Sequence, residues 1–234
     1  MAAPVFGTTD VLALGADWEP QGNSPTSAST RATATGPDGD QVASTTHNEV
    51  ESGTATYIYI GAETNFPAAL AAASADVGDV VDTATLIITG VSVDYSPCAS
   101  GQRPVATFTY RDGPTAASAT YVSALGAALP TYVASTPTVP TILSVTGGDA
   151  EVQSSSWSLQ AQFGEDLDKD GEFLAGETYN GEETINLQFV GLPTSITSTG
   201  YDQTSGPGSN TGGTASNTAY TTNSYTFVKG ITRS

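Results

Sequence analysis

The residues best placed to do chemistry lie in "DLDKDGEFLAGE", Asp166 to Glu177. Carboxylates stand at Asp166, Asp168 and Asp170, a bend-permitting glycine at Gly171, a backbone carbonyl at Glu172 and a closing carboxylate at Glu177. That spacing matches the oxygen-ligand frame of a calcium loop, since a hard divalent cation is held by carboxylate and carbonyl oxygens converging from a sharp turn. Leu174 falls where a polar or water-bridging residue is usual, and the flanks "SSSWSLQAQF" and "TINLQFVG" do not carry a helical pattern. The ion these residues suggest is therefore a structural Ca2+ that staples one turn and offsets repulsion among its carboxylates. A calcium sensor needs helices to transmit a switch, and none are expected here.

Other chemistry finds little to work with. The chain has one histidine, His47, and one cysteine, Cys98. A zinc site therefore lacks ligands, an intramolecular disulfide is excluded, and a Ser-His-Asp triad lacks the G-x-S-x-G elbow. Paired carboxylates for sugar hydrolysis are available in any acidic protein, but only Trp18 and Trp157 could stack on a sugar. No Gly-rich phosphate loop precedes a helix. The reading is of no catalytic residues and no cofactor beyond that ion.

The elements around these residues are β-strands. Period-two alternation rich in Thr, Val, Ile, Tyr and Phe marks strands at 29–36, 53–61, 83–96, 104–113, 155–164, 183–191 and 223–231. Two helices are expected. One spans 65–77, with Asn65 as cap and Pro67 in its first turn; the other spans 115–130, where Tyr121, Leu125 and Leu129 share a face before Pro130. Residues 134–151 read as an extended connector and 197–223 as a long polar loop or arm.

The chain also repeats itself. "DGDQVASTTHN" (38–48) aligns without gaps to "DGEFLAGETYN" (170–180), and "TATYIYIG" (54–61) to "TINLQFVG" (184–191) after a two-residue difference in a turn at the asparagine. Ala55, Tyr57 and Tyr59 would then match Ile185, Leu187 and Phe189. Because Gly36 lies nearer to Asp38 than Gly164 does to Asp170, Asp166 and Asp168 fall in a four-residue insertion of the second copy. Thr45 stands opposite Glu177 in this alignment, so the first copy has no calcium frame. The domain reading is an N-terminal arm over 1–24, a first β half over 25–145 with a flanking helix, and a second over 146–234.

Composition narrows the function. Lys and Arg total 6 against 24 acids, a formal charge of −18, so specific nucleic-acid binding and attachment to an anionic membrane are not expected. No stretch is long and apolar enough to span a bilayer, and the N-terminus lacks the basic and apolar regions of a signal peptide. Ser and Thr make up about a quarter of the residues, a balance suited to work outside a cell without a general export signal.

At "ATATGPDGDQVASTTHNEVESGTATYIYIG" and "ADVGDVVDTATLIITGVSVDYS" the sequence resembles structural tail proteins of tailed phages and prophages. The resemblance covers roughly residues 25–113 and, more weakly, 155–191. It implies an antiparallel β-sandwich with a short flanking helix, whose copies join into rings and stack into a tube. It also implies a virion location, assembly in the host cytoplasm, and partnership with copies of itself and other virion proteins. A capsid decoration protein, or a receptor-binding or surface-filament subunit at the cell surface, are the alternatives.

If an ion staples the 166–177 turn, excess EDTA lowers the melting temperature and added calcium restores it. Superimposable melting curves would remove the ion from the description.

Overall fold

A computed structural model describes residues 10–62, 66–72, 77–81, 86–95, 103–113, 132–133, 136–137, 139, 143–146, 151–169, 173–191, 195–205 and 222–231. The long alternating segments form strands: β1 (Trp18–Thr35), β2 (Gln41–Tyr59), β3 (Val80–Val81), β4 (Leu86–Tyr95) and β5 (Val105–Asp112). Short strands β6 (Tyr132–Val133), β7 (Thr136–Pro137) and β8 (Leu143–Thr146) follow. The second half contributes β9 (Glu151–Leu167), β10 (Phe173–Val190), β11 (Ser195–Ser198), β12 (Asp202–Ser205) and β13 (Thr222–Ile231). One helix, α1 (Phe66–Ala72), realises the front of the segment expected at 65–77. The helix expected at 115–130 lies outside the described residues.

The fold is all-β and sandwich-like. A nine-stranded antiparallel sheet runs β1-β2-β5-β4-β9-β10-β13-β12, with β3 beside β4. One face carries the core: Ala55, Tyr57 and Tyr59 of β2, Phe108 of β5, Val93 of β4, Trp157 of β9, Ile185 and Phe189 of β10, and Phe227 of β13. The covering layer is built from the β8–β11 ladder, α1 and the segment before β1. Phe66 of α1 packs edge-on against Tyr59 and tilted against Trp18, at 5.3 and 5.8 Å between centroids. Where an arm was expected over 1–24, Leu12, Leu14 and Trp18 are core residues and β1 has already begun. Tyr57 fixes this segment: its hydroxyl donates to the Asp10 carboxylate and accepts from the Leu12 amide, both at 3.0 Å.

The sheet order exposes the duplication. Each half places its strands hairpin first, then the fourth, then the third: β1-β2-β5-β4, followed by β9-β10-β13-β12. The registers agree residue by residue. Every pair from Glu19↔Ile58 to Thr35↔Gln41 recurs 132 positions later on both strands, from Glu151↔Val190 to Leu167↔Phe173. All three β-bulges recur as well. The likeness continues in the third and fourth strands, where "TFTY" (107–110) occupies the places of "SYTF" (224–227). Bulges at Thr89 and Thr204 coincide, and each threonine hydroxyl donates to the carbonyl of the matching residue, Thr109 or Thr226, at 3.4 Å.

This register corrects two details of the sequence alignment. No insertion separates the copies, because both hairpins close between the same ladder positions; Asp166 and Asp168 replace Ala34 and Gly36. The asparagine turn is a bulge instead, in which Asn180 and Gly181 oppose Ala161 and Asn180 takes a φ of 50°. The final strands therefore match as Gly53, Ala55, Tyr57 against Ile185, Leu187, Phe189. A slip of two residues leaves every side chain on its own face, so face pattern alone could not detect it.

Gly53 shows how the copies diverged. A Cβ there would lie 2.6 Å from the Tyr110 hydroxyl and 2.7 Å from the Ser24 carbonyl oxygen. Its counterpart, Ile185, faces Phe227, which has no hydroxyl. The Tyr110 hydroxyl instead donates to the Asn23 side chain at 2.6 Å, tying β5 to β1 across β2. Gly53→Ala is expected to lower stability by about 1–3 kcal/mol in urea denaturation. Adding Tyr110→Phe should recover part of that loss, and an undiminished midpoint for Gly53→Ala would disprove the packing account.

Candidate assembly surfaces and the acidic turn

Strand pairing places the acidic residues. Asp166 faces Ala175 and Glu177 faces Gly164 across the β9–β10 hairpin, so the two carboxylates lie diagonally on one face of the ribbon. Asp168 begins the connection between the strands, whereas Asp170, Gly171 and Glu172 lie outside the described residues. Both ends of the proposed calcium frame are thus in extended, paired strands, and no described helix flanks them. Among the described residues no group of three or more His, Cys, Asp or Glu side chains stands close enough to hold a metal ion. Glu165, on the adjoining position, is an ion-pair partner of Arg111.

The other residues weighed for chemistry have ordinary places. His47 pairs with Thr30 in β2, at the position Tyr179 occupies in the second hairpin. Trp18 and Trp157 are both buried and unavailable to a sugar. Cys98 lies outside the described residues.

Sequence reasoning missed a buried carboxylate. Glu183 is fully enclosed on the core face of β10. The Trp157 indole N–H donates to one of its oxygens and the Tyr201 hydroxyl to the other, each at 2.5 Å. Two donors offset part of the desolvation cost that an enclosed carboxyl group would otherwise impose. Burial pushes the Tyr201 hydroxyl well above the usual phenol range, and the Glu183 carboxylate adds to the shift. Tyr57 is raised in the same way, by burial first and then by Asp10. The signal was available: Glu183 shares strand parity with Ile185, Leu187 and Phe189, so an acid stood on an apolar stripe.

Away from the core, the sheet presents small neutral polar groups. Thr56 and Thr107 approach to 3.4 Å, Ser154 donates to Gln188 at 3.1 Å, and Asn186 links Ser156 and Thr226 at 3.2 and 2.9 Å. A shallow groove of about 270 Å³ crosses this face, with Asp94 the only carboxylate in its lining. Such a face offers no convergent acid, base and nucleophile.

The remaining features are open ends. Among the described residues, β1 and β2 continue beyond the reach of β5 as a two-stranded ribbon, and β9 and β10 do the same beyond β4 and β13. Each ribbon exposes an aliphatic side chain at the same bulge near its tip: Val42, 68% exposed, and Leu174, 69% exposed. The second ribbon leans on the first half, where the Arg111 guanidinium pairs with Glu165 and covers the Phe163 ring at 4.3 Å. Among the described residues, β1 and β12 are the outermost strands of the sheet.

No known family model matches the chain, and no curated protein matches it.

The raised phenols set a pH dependence. Above pH 10, the ordinary phenol value, the unfolded chain releases protons that the folded one retains, so stability falls as pH rises. Below that value these groups contribute a constant amount. Urea titrations from pH 8 to 11 should show a decline of up to about 1.4 kcal/mol per pH unit for each buried phenol. Tyr57→Phe and Tyr201→Phe should each flatten it, and an unchanged slope would contradict the burial account.

Proposed function

We propose that this protein is a non-enzymatic structural subunit of a tailed-phage virion, a tail-tube or related tail component that self-assembles. The carrying observation is the pair of ribbons. A two-stranded hairpin without a third strand is marginal in water, and among the described residues the outer part of each hairpin pairs with no third strand, the two being in matching register and each carrying an exposed aliphatic residue near its tip. Docking on further copies is the economical use for such a device. The neutral hydroxyl and amide face supports the same reading. A surface of that kind, on a chain with 6 cations against 24 acids, lets a polyanion pass without adhering. The copies are deployed in the virion after assembly in the host cytoplasm, with other virion proteins at the ends of the assembly.

Concentrated protein should form rings or tubes visible by negative-stain electron microscopy. Val42→Asp and Leu174→Asp should weaken assembly while leaving the monomer's melting temperature within about 1–2 °C, since exposed substitutions seldom change stability by much. A wild-type chain that stays monomeric at high concentration and is missing from particle mass spectra would refute the proposal. Discrete trimers on capsids would instead identify a decoration protein.

A further inference from the structure

We infer that the two matched ribbons are not equivalent: a clamp built on Arg111 presets the second as a rigid arm, while the first moves until a neighbour holds it. The clamp belongs to the single chain, and the use of the arms in docking rests on the reading of a self-assembling subunit. The second ribbon leaves the sheet at a fork. β9 pairs with β4 from Tyr95↔Ser155 to Gly90↔Gln160. Nearer its start, β4 pairs instead with β3, at Val80↔Ile87 and Val81↔Leu86. The Gly78 amide also donates to the Ile88 carbonyl at 2.8 Å, and the Ile88 amide to the Asp79 carbonyl at 3.0 Å. β3 thus takes the side of β4 that β9 gives up, and the ribbon departs at the bulge of Asn180 and Gly181.

The base of that ribbon packs on the first half. Phe163 and Thr178 are ladder partners, and Thr178 is fully buried. The Arg111 guanidinium covers the Phe163 ring at 4.3 Å while pairing with Glu165. Gly176 makes the fit possible, because a Cβ there would collide with the Phe163 ring. One planar guanidinium serves both contacts, a combination that the point charge of a lysine does not reproduce.

The first ribbon is built differently at the same places. Arg31 and Thr46 stand where Phe163 and Thr178 do, and both are exposed. Ser44 stands in the place of Gly176, and Arg31 donates to its hydroxyl at 3.2 Å, a contact internal to the ribbon. Val228, uncharged, occupies the place of Arg111 in the second half. From Thr26 to Thr46 every residue except Gly36 is exposed. Two paired strands with both faces in water open locally at little cost. An arm already in its bound posture loses less conformational freedom on association than one that must be ordered. The second ribbon, with Leu174 near its tip, is therefore the arm that engages first, and the first ribbon, with Val42, becomes ordered on the neighbouring copy.

Hydrogen–deuterium exchange on the dilute, unassembled chain tests the clamp. Protection factors over Phe163–Leu167 and Leu174–Thr178 should exceed those over the matching Arg31–Thr35 and Val42–Thr46 by about tenfold. Arg111→Gln should bring the two ribbons within about threefold of each other, and Arg111→Lys should recover only part of the protection. Gly176→Ala, which displaces the ring and leaves Arg111 in place, should act as Arg111→Gln does. Exchange over Thr184–Phe189 reports the core and should stay unchanged; if it rises in Arg111→Gln, Gly176→Ala decides. Equal protection of the two ribbons in the wild type would overturn the clamp, as would protection retained in both variants. Where the wild type forms rings or tubes, Arg111→Gln should need about tenfold more protein to do so, and the first ribbon should gain protection on assembly. Assembly at an unchanged concentration by Arg111→Gln chains whose second ribbon has lost protection would overturn the docking order and leave the clamp. A wild-type chain that never associates would remove the self-assembling reading and the docking order with it, while exchange still decides the clamp.

Discussion

Side chains alternate along a strand, and eight strands of this sheet must keep that alternation in step to hold one core. Displacing β2 by a single residue would carry Ala55, Tyr57 and Tyr59 to the solvent face and bring threonines inward. The bulges complicate the requirement, because each adds an unpaired residue on at least one strand and alters the local twist. Their recurrence at equivalent places in both hairpins keeps the apolar stripe continuous from Tyr57 through Phe108 and Trp157 to Phe227. Glu183 is tolerated on that stripe only because Trp157 and Tyr201 point their donors at it.

Much of the fold was legible in the sequence because burial writes a period of two. The strands read from "TYIYI", "LIITGVSV" and "ATFTY" have their centres within β2, β4 and β5. Residues 29–36, at the end of β1, already read as a strand, whereas residues 41–46 opposite them in β2 are exposed on both faces and leave no periodic trace. The repeat was detected from "DGDQV" and "DGEFL", but its full extent was hidden. Arg31 against Phe163 and Pro25 against Trp157 share no chemistry, and only backbone register reveals their equivalence. The acidic turn was visible as residues, whereas the match of Asp166 and Asp168 to Ala34 and Gly36 needed that register. The strand order could not be read at all, because sequence order does not say that β4 lies outside β5.

Charge is distributed to match. Several of the few cations serve internal contacts: Arg103 donates to the carbonyls of Ile60 and Gly61, Arg111 holds Glu165, and Lys229 lies over the Tyr201 ring. With a formal charge of −18, separate copies repel at long range. Ions in solution shorten the reach of that repulsion by screening it.

The β4–β9 ladder has a consequence for how quickly order can arise. Because a single polypeptide carries both halves, the meeting of those two edges is intramolecular, with an effective concentration set by a tether instead of by the number of chains in solution. Within one chain the two hairpins are also free to differ, as "DLDKDGEFLAGE" does from "ATGPDGDQVAST" at the matching positions.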